Sequence, residues 1–194
     1  MSSKLRSSSR KLGPYAVVLV VLVGAGAAYP AVTSRQSFRG QDRVYGGGQF
    51  GPGCFSNSDV CFANPRNLAV DAHAAADGTC ARGSSTYGTP GIGETYRSIR
   101  CLRVDGDTAV VGGLIAKGAN AGFGYVQYFV DRGGPGLGDR DLVSPSLIDP
   151  LDAETWPAGF PDVCPSATEV PGGGVPMYRE LDEGDVVVKD ASHD

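Results

Sequence analysis

Two proton-exchanging side chains two residues apart, Asp71 and His73, are the pair in this chain best spaced to move a proton. Residues i and i+2 of an extended strand project from one face, so the carboxylate could orient the imidazole, with Ser84 or Ser85 on the next strand as nucleophile. A solvated strand face is the expected state of the pair, because Asn67 and Ala69 on that face give no sign of a charge-lined cleft. Asp131, Asp139 and Asp141, separated by glycine-rich chain, could gather around Ca²⁺, which takes six to eight oxygens. The sequence has no EF-hand or repeat spacing, and a solvated loop is expected there.

Gly46, Gly48 and Gly51 spell G-x-G-x-x-G, but Pro52, Gly53 and Cys54 follow where a phosphate-binding helix would have to open, so these are expected to be turn glycines. There is no G-x-S-x-G elbow, Walker loop or H-E-x-x-H motif. Zinc ligation is disfavoured by the lack of C-x-x-C and by only two histidines, His73 and His193. No cofactor is expected.

The elements that would position these residues are strands. Short apolar runs alternate with Gly, Pro and Asp, and no run of about 12 residues holds a helical period. In Asn67 to His73, Leu68, Val70 and Ala72 face one way, Asp71 and His73 the other. Tyr96 to Val104 and Asp107 to Lys117 flank Asp105-Gly106, which predicts a hairpin with a type I′ turn. Phe123 to Val130 is apolar on both faces, as suits a central strand covered on two sides. Asp185 to Lys189 reads as the last strand, and 144–174 as a long Pro/Gly-rich insertion containing the sole tryptophan, Trp156. The expected fold class is all-β, an antiparallel β-sandwich or partly closed β-barrel.

Location is legible at the amino terminus. Lys4, Arg6, Arg10 and Lys11 precede the apolar run Ala16 to Val23, and Ala25-Gly26-Ala27 offers a signal-peptidase site, so 1–27 is read as a signal peptide. An uncleaved anchor is the competing reading, because no charge interrupts 12–34. Residues 28–42 form a polar spacer and 43–190 a single β domain. The leader holds 4 of the 17 basic residues and none of the 21 acidic ones, which leaves 13 against 21, a net −8, beyond it. That balance argues against nucleic acid or an anionic membrane surface as partner; membrane contact is expected only if the leader stays attached.

Five cysteines, Cys54, Cys61, Cys80, Cys101 and Cys164, imply disulfides in an oxidising compartment. An odd count leaves one over, and spacing alone leaves every four-cysteine pairing open.

Arg43-Val-Tyr-Gly-Gly-Gly-Gln-Phe50, Asn67-Leu-Ala-Val-Asp-Ala-His73, Ile99-Arg-Cys-Leu-Arg-Val104 with Asp107-Thr-Ala-Val-Val-Gly112, Tyr128-Phe-Val-Asp-Arg-Gly-Gly-Pro-Gly136 and Glu183-Gly-Asp-Val-Val-Val-Lys189 follow one another along the chain. In this order they resemble a group of small secreted, largely uncharacterised bacterial β-rich proteins. That group has a G-G-G turn at its amino-terminal strand and a loop of the V-x-D-x-G-x-P-G kind after a central strand. The resemblance implies fold, not chemistry, and implies that Cys101 partners Cys164. Beside that pair, a local Cys54–Cys61 staple is expected, with Cys80 remaining. The expected function is an exported non-catalytic envelope or extracellular module with an envelope or extracellular partner. The alternatives are a secreted hydrolase using Asp71 and His73, and a calcium-dependent adhesion or carbohydrate-binding module using the Asp131 to Asp141 loop. An exposed aromatic strip with Tyr125 or Trp156 would favour binding.

Overall fold

β-branched and aromatic residues at alternating positions make the strands, and Gly, Asp and Pro end them in turns. In the computed structural model the described residues run from 41 to 192, apart from 57–58, 90–92, 134–138, 152–155, 157 and 172–173. The expected leader and most of the spacer lie outside them. Among the described residues no helix is long and apolar enough to cross a membrane.

The strands are β1 (Gln41–Phe50), β2 (Gly53–Cys54), β3 (Cys61–Phe62), β4 (Arg66–Ala75), β5 (Arg82–Thr89), β6 (Gly93–Asp105), β7 (Thr108–Lys117), β8 (Gly124–Val130), β9 (Leu142–Val143), β10 (Leu147–Asp149), β11 (Arg179–Glu180) and β12 (Glu183–Lys189). One antiparallel sheet runs β11-β9-β8-β7-β6-β5-β4-β1-β12, with β10 paired to β8 off that path; β2 and β3 form a separate small hairpin. The large sheet curls strongly into a half-barrel, which bears out the all-β, partly closed expectation.

Its concave face holds the main core, with Val44, Phe50, Leu68, Val70, Ile99, Leu102, Val111, Phe129 and Val186 buried in one cluster. The outer faces of β7 and β8 are covered too. Val110, Val126 and Tyr128 pack beneath Leu147, Trp156, Phe160, Cys164 and Val170, all from the Pro/Gly-rich segment. That segment is therefore a second packed layer carrying β10, and it explains why β8 is apolar on both faces. β8 is buried along nearly its whole length.

Local irregularities decide which face a side chain serves. Strict alternation would put Cys101 on the same face as Ile99. The pairing of β6 with β7 skips a residue between Ile99 and Cys101, leaving Arg100 as the extra position of a bulge. Ile99 and Leu102 both point into the concave core, and Cys101 turns outward to bond Cys164 in the second layer. The Tyr96 to Lys117 hairpin forms, but its two-residue turn is Gly106-Asp107, since Asp105 pairs with Thr108. Gly106 alone has positive φ, 61°; this is the first-position glycine of a type II′ turn rather than the expected type I′.

Gly46 and Gly48 lie inside β1 and are not turn glycines. Gly46 has φ 123°, and a methyl group built on it would collide with the Asp185 carbonyl oxygen of β12. Backbone strain and displacement of the β1–β12 ladder should together make Gly46→Ala cost about 3 kcal/mol in urea denaturation. Gly93→Ala, where a Cβ meets open space, should stay within about 0.5 kcal/mol of wild type.

Candidate functional site

The expected hydrolytic pair sits on β4. Asp71 is exposed and its Oδ1 lies 3.4 Å from Arg43 Nη2 on β1, while His73 Nε2 accepts a hydrogen bond from Arg82 Nε at 2.6 Å. Ser84 stands opposite Asp71 across the ladder and is exposed; Ser85 is buried on the other face, its Oγ 3.3 Å from the Tyr125 hydroxyl. The structure thus gives each member of the pair an arginine neighbour, and among the described residues no hydroxyl is hydrogen-bonded to His73. Exposed pairs of this kind contribute little, so Asp71→Asn and His73→Ala should each unfold within about 1 kcal/mol of wild type. A broad hydrolase screen should reveal no activity that His73→Ala loses.

Asp131 and Asp141 do not form a solvated loop. Asp141 is buried; its Oδ2 accepts from Val186 N at 2.7 Å and its Oδ1 from Arg132 N at 2.9 Å. Asp131 Oδ2 accepts from Val188 N at 3.0 Å and its Oδ1 from Gly133 N at 2.8 Å. The two carboxylates take the outward N–H groups of β12, the last strand in the sheet path, and so bridge it to the β8–β9 connection without a backbone ladder. Burial, with Asp141 and Asp131 close by, raises the Asp185 carboxyl above its ordinary range. Asp139 is exposed and takes no part. Among the described residues no cluster of three or more His, Cys, Asp or Glu side chains could hold a metal ion.

The aromatic residues also differ from expectation. Tyr125 is fully buried and belongs to no surface strip, while Trp156 stacks on Phe160 at 4.1 Å over the second layer.

The least expected group is Arg97, on the concave face of β6. Its side chain is 2% exposed and lies between two phenol rings, with Cζ 4.7 Å from the Tyr87 centroid and 4.8 Å from that of Tyr125. Nη1 donates to Gln127 Oε1 at 3.1 Å and to Ser146 Oγ at 2.7 Å, and Nε donates to Thr95 Oγ1 at 3.2 Å. All these partners are neutral. Burial pulls the guanidinium down to about 10, opposed by Tyr125 and Tyr87, so it remains charged at neutral pH. Burial in turn raises the phenols of Tyr87 and Tyr125.

Around Arg97 the rings form one patch. Phe50 lies 6.2 Å from both Phe62 and Tyr87 and 5.7 Å from Phe55. Arg66 sits over Phe62 at 4.4 Å and Arg179 over Phe50 at 5.6 Å. The Cys54–Cys61 staple closes the β2–β3 hairpin that supplies Phe55 and Phe62. At the same end of the strands, an open groove of about 590 Å³ runs past Gln49, Asn67 and Thr86, the chain neighbours of Phe50, Arg66 and Tyr87, and past Glu94 and Glu183.

Arg97 was missed because a charge on a strand reads as an outward position. The available signal was its place two residues before Ile99, on what alternation makes the core face. The fold and this end together define a disulfide-stapled half-barrel with an arginine–aromatic cluster at the end where β1 and β5 finish. No protein-family model, curated protein or solved structure matches the chain.

Proposed function

We propose that the chain is an exported, non-catalytic binding module of the envelope or extracellular space. The observation that carries this reading is the pair of disulfides: Cys54–Cys61 in the small hairpin and Cys101–Cys164 tying the second layer to the sheet. Structural disulfides suit an oxidising compartment, and the basic and apolar leader supplies the route there. The non-catalytic part of the reading is supported by the arginine neighbours of Asp71 and His73. The arginine–aromatic end is its binding surface.

Amino-terminal sequencing of material exported by the producing cell tests the proposal. The expected first residue lies near Ala28, with four cysteines oxidised and Cys80 free. An intact chain held in the membrane fraction would make the leader an anchor. A cytoplasmic chain with five free thiols would overturn the reading.

A further inference from the structure

We propose that the arginine–aromatic end of the half-barrel binds an oxyanion group, the carboxylate or phosphate of a ligand, through Arg97, Tyr87, Arg66 and Arg179. This rests on the binding role proposed above and names the chemistry of its ligand.

The cluster is short of acceptors. Among the described residues, buried side-chain atoms without a hydrogen-bond partner are Arg97 Nη2, Tyr87 OH, Arg66 Nε and Arg179 Nη1, with Gln41 Oε1 at the opposite end of β1. The first four can all donate, and all belong to residues of the one ring patch described above. A buried polar group without a partner is uncommon and costly, and four donors together call for an acceptor with several oxygens.

Charge points the same way. Arg43, Arg100, Arg132 and Arg140 each pair with a carboxylate at the surface. Arg66, Arg97 and Arg179 enter no ion pair among the described residues and lie against rings instead. The chain carries more acidic than basic residues, so these three guanidinium groups go without ion-pair partners in a chain that has carboxylates to spare. A guanidinium buried without an opposite charge is unfavourable, and an apolar residue of similar volume would be more stable there; a ligand anion supplies the missing charge. Arg97 is fully buried, whereas Arg66 and Arg179 are half-buried, so positive charge extends from the interior towards solvent. Guanidinium groups match carboxylate and phosphate oxygens in pairs of parallel hydrogen bonds.

The disulfide-intact exported chain is titrated with sodium acetate and, separately, with inorganic phosphate at constant ionic strength, following Tm and the Arg Nε–H resonances. At one hundred times Kd the bound anion should raise Tm by about 7 °C and shift the Arg97 Nε–H signal saturably. Response to acetate alone assigns a carboxylate ligand, and response to phosphate alone a phosphate ligand. Tyr87→Phe, which keeps the ring, should weaken binding about tenfold, and Arg97→Met should abolish it while leaving the free protein as stable as wild type or more so. Arg66→Met provides the same comparison if Arg97→Met does not fold. The inference is overturned if neither anion gives a saturable response, or if the rise in Tm is equal in wild type, Tyr87→Phe and Arg66→Met, which would mark a general salt effect. Either result, obtained on protein whose mature terminus lies near Ala28, leaves the export reading standing.

Discussion

Removing the Cys101–Cys164 bond by the double substitution to serine is expected to cost about 4 kcal/mol, the largest effect of any change considered for this chain. The bond closes 63 residues, from the bulged β6 to the second layer, and loop-closure entropy for that length gives about 4 kcal/mol. The Cys54–Cys61 bond spans 7 residues and gives about 2 kcal/mol on the same basis. For a domain of this size the first loss lowers Tm by about 10 °C and the second by about half as much. Cys101 is also 1% exposed, so a serine there places a hydroxyl against the Phe160 and Val126 side chains that surround Gly112. Thermal melts of both double variants under non-reducing conditions check the order. Equal losses, or a peptide map linking Cys101 to Cys80, would refute it.

Asp141→Ala should be nearly as damaging, at about 3 to 4 kcal/mol. It deletes a charged acceptor shared by Val186 N and Arg132 N and leaves the Val186 amide buried without a partner. Asp141→Asn keeps one acceptor oxygen and should lose about half as much. Hydrogen exchange separates this mechanism from general destabilisation. Val186 and Val188 amides should exchange far faster in the alanine variant, while the β6–β7 ladder changes only as global stability does. Asp131→Ala should have the weaker effect, because its bond to Val188 N is longer and only part-buried.

Much of the architecture could be read from the residues. Leu68, Val70 and Ala72 alternate into the core as their spacing predicts, and the apolar faces of Tyr125 to Phe129 placed β8 between two layers. Cys101 with Cys164 and Cys54 with Cys61 are bonded as expected, and Cys80 is free. What failed did so for physical reasons. A charge in a glycine-rich stretch reads as solvated, yet Asp141 is buried because an edge strand needed an acceptor. Arg97 reads as surface, yet neutral oxygens and two rings hold it inside. The β10 strand is three residues long, too short for alternation to reveal. The outward turn of Cys101 depends on the Arg100 bulge, which leaves no mark in the period of the sequence.

The distance along the chain between Cys101 and Cys164 sets a problem of timing. A polypeptide emerges amino terminus first, so in an oxidising compartment Cys54 and Cys61, 7 residues apart, would meet before Cys101 and Cys164 do. Cys101 then waits for a partner that has yet to appear, while Cys80, exposed and reduced in the finished molecule, is nearer in sequence and arrives sooner. Where oxidation outruns synthesis, a Cys80–Cys101 bridge would be favoured, and the native bond would then form when the Cys164 thiolate attacks the Cys101 sulfur and Cys80 leaves as a thiolate. On that route the yield would depend on disulfide isomerisation, and the thiol of Cys80 would be released by the exchange that completes the fold.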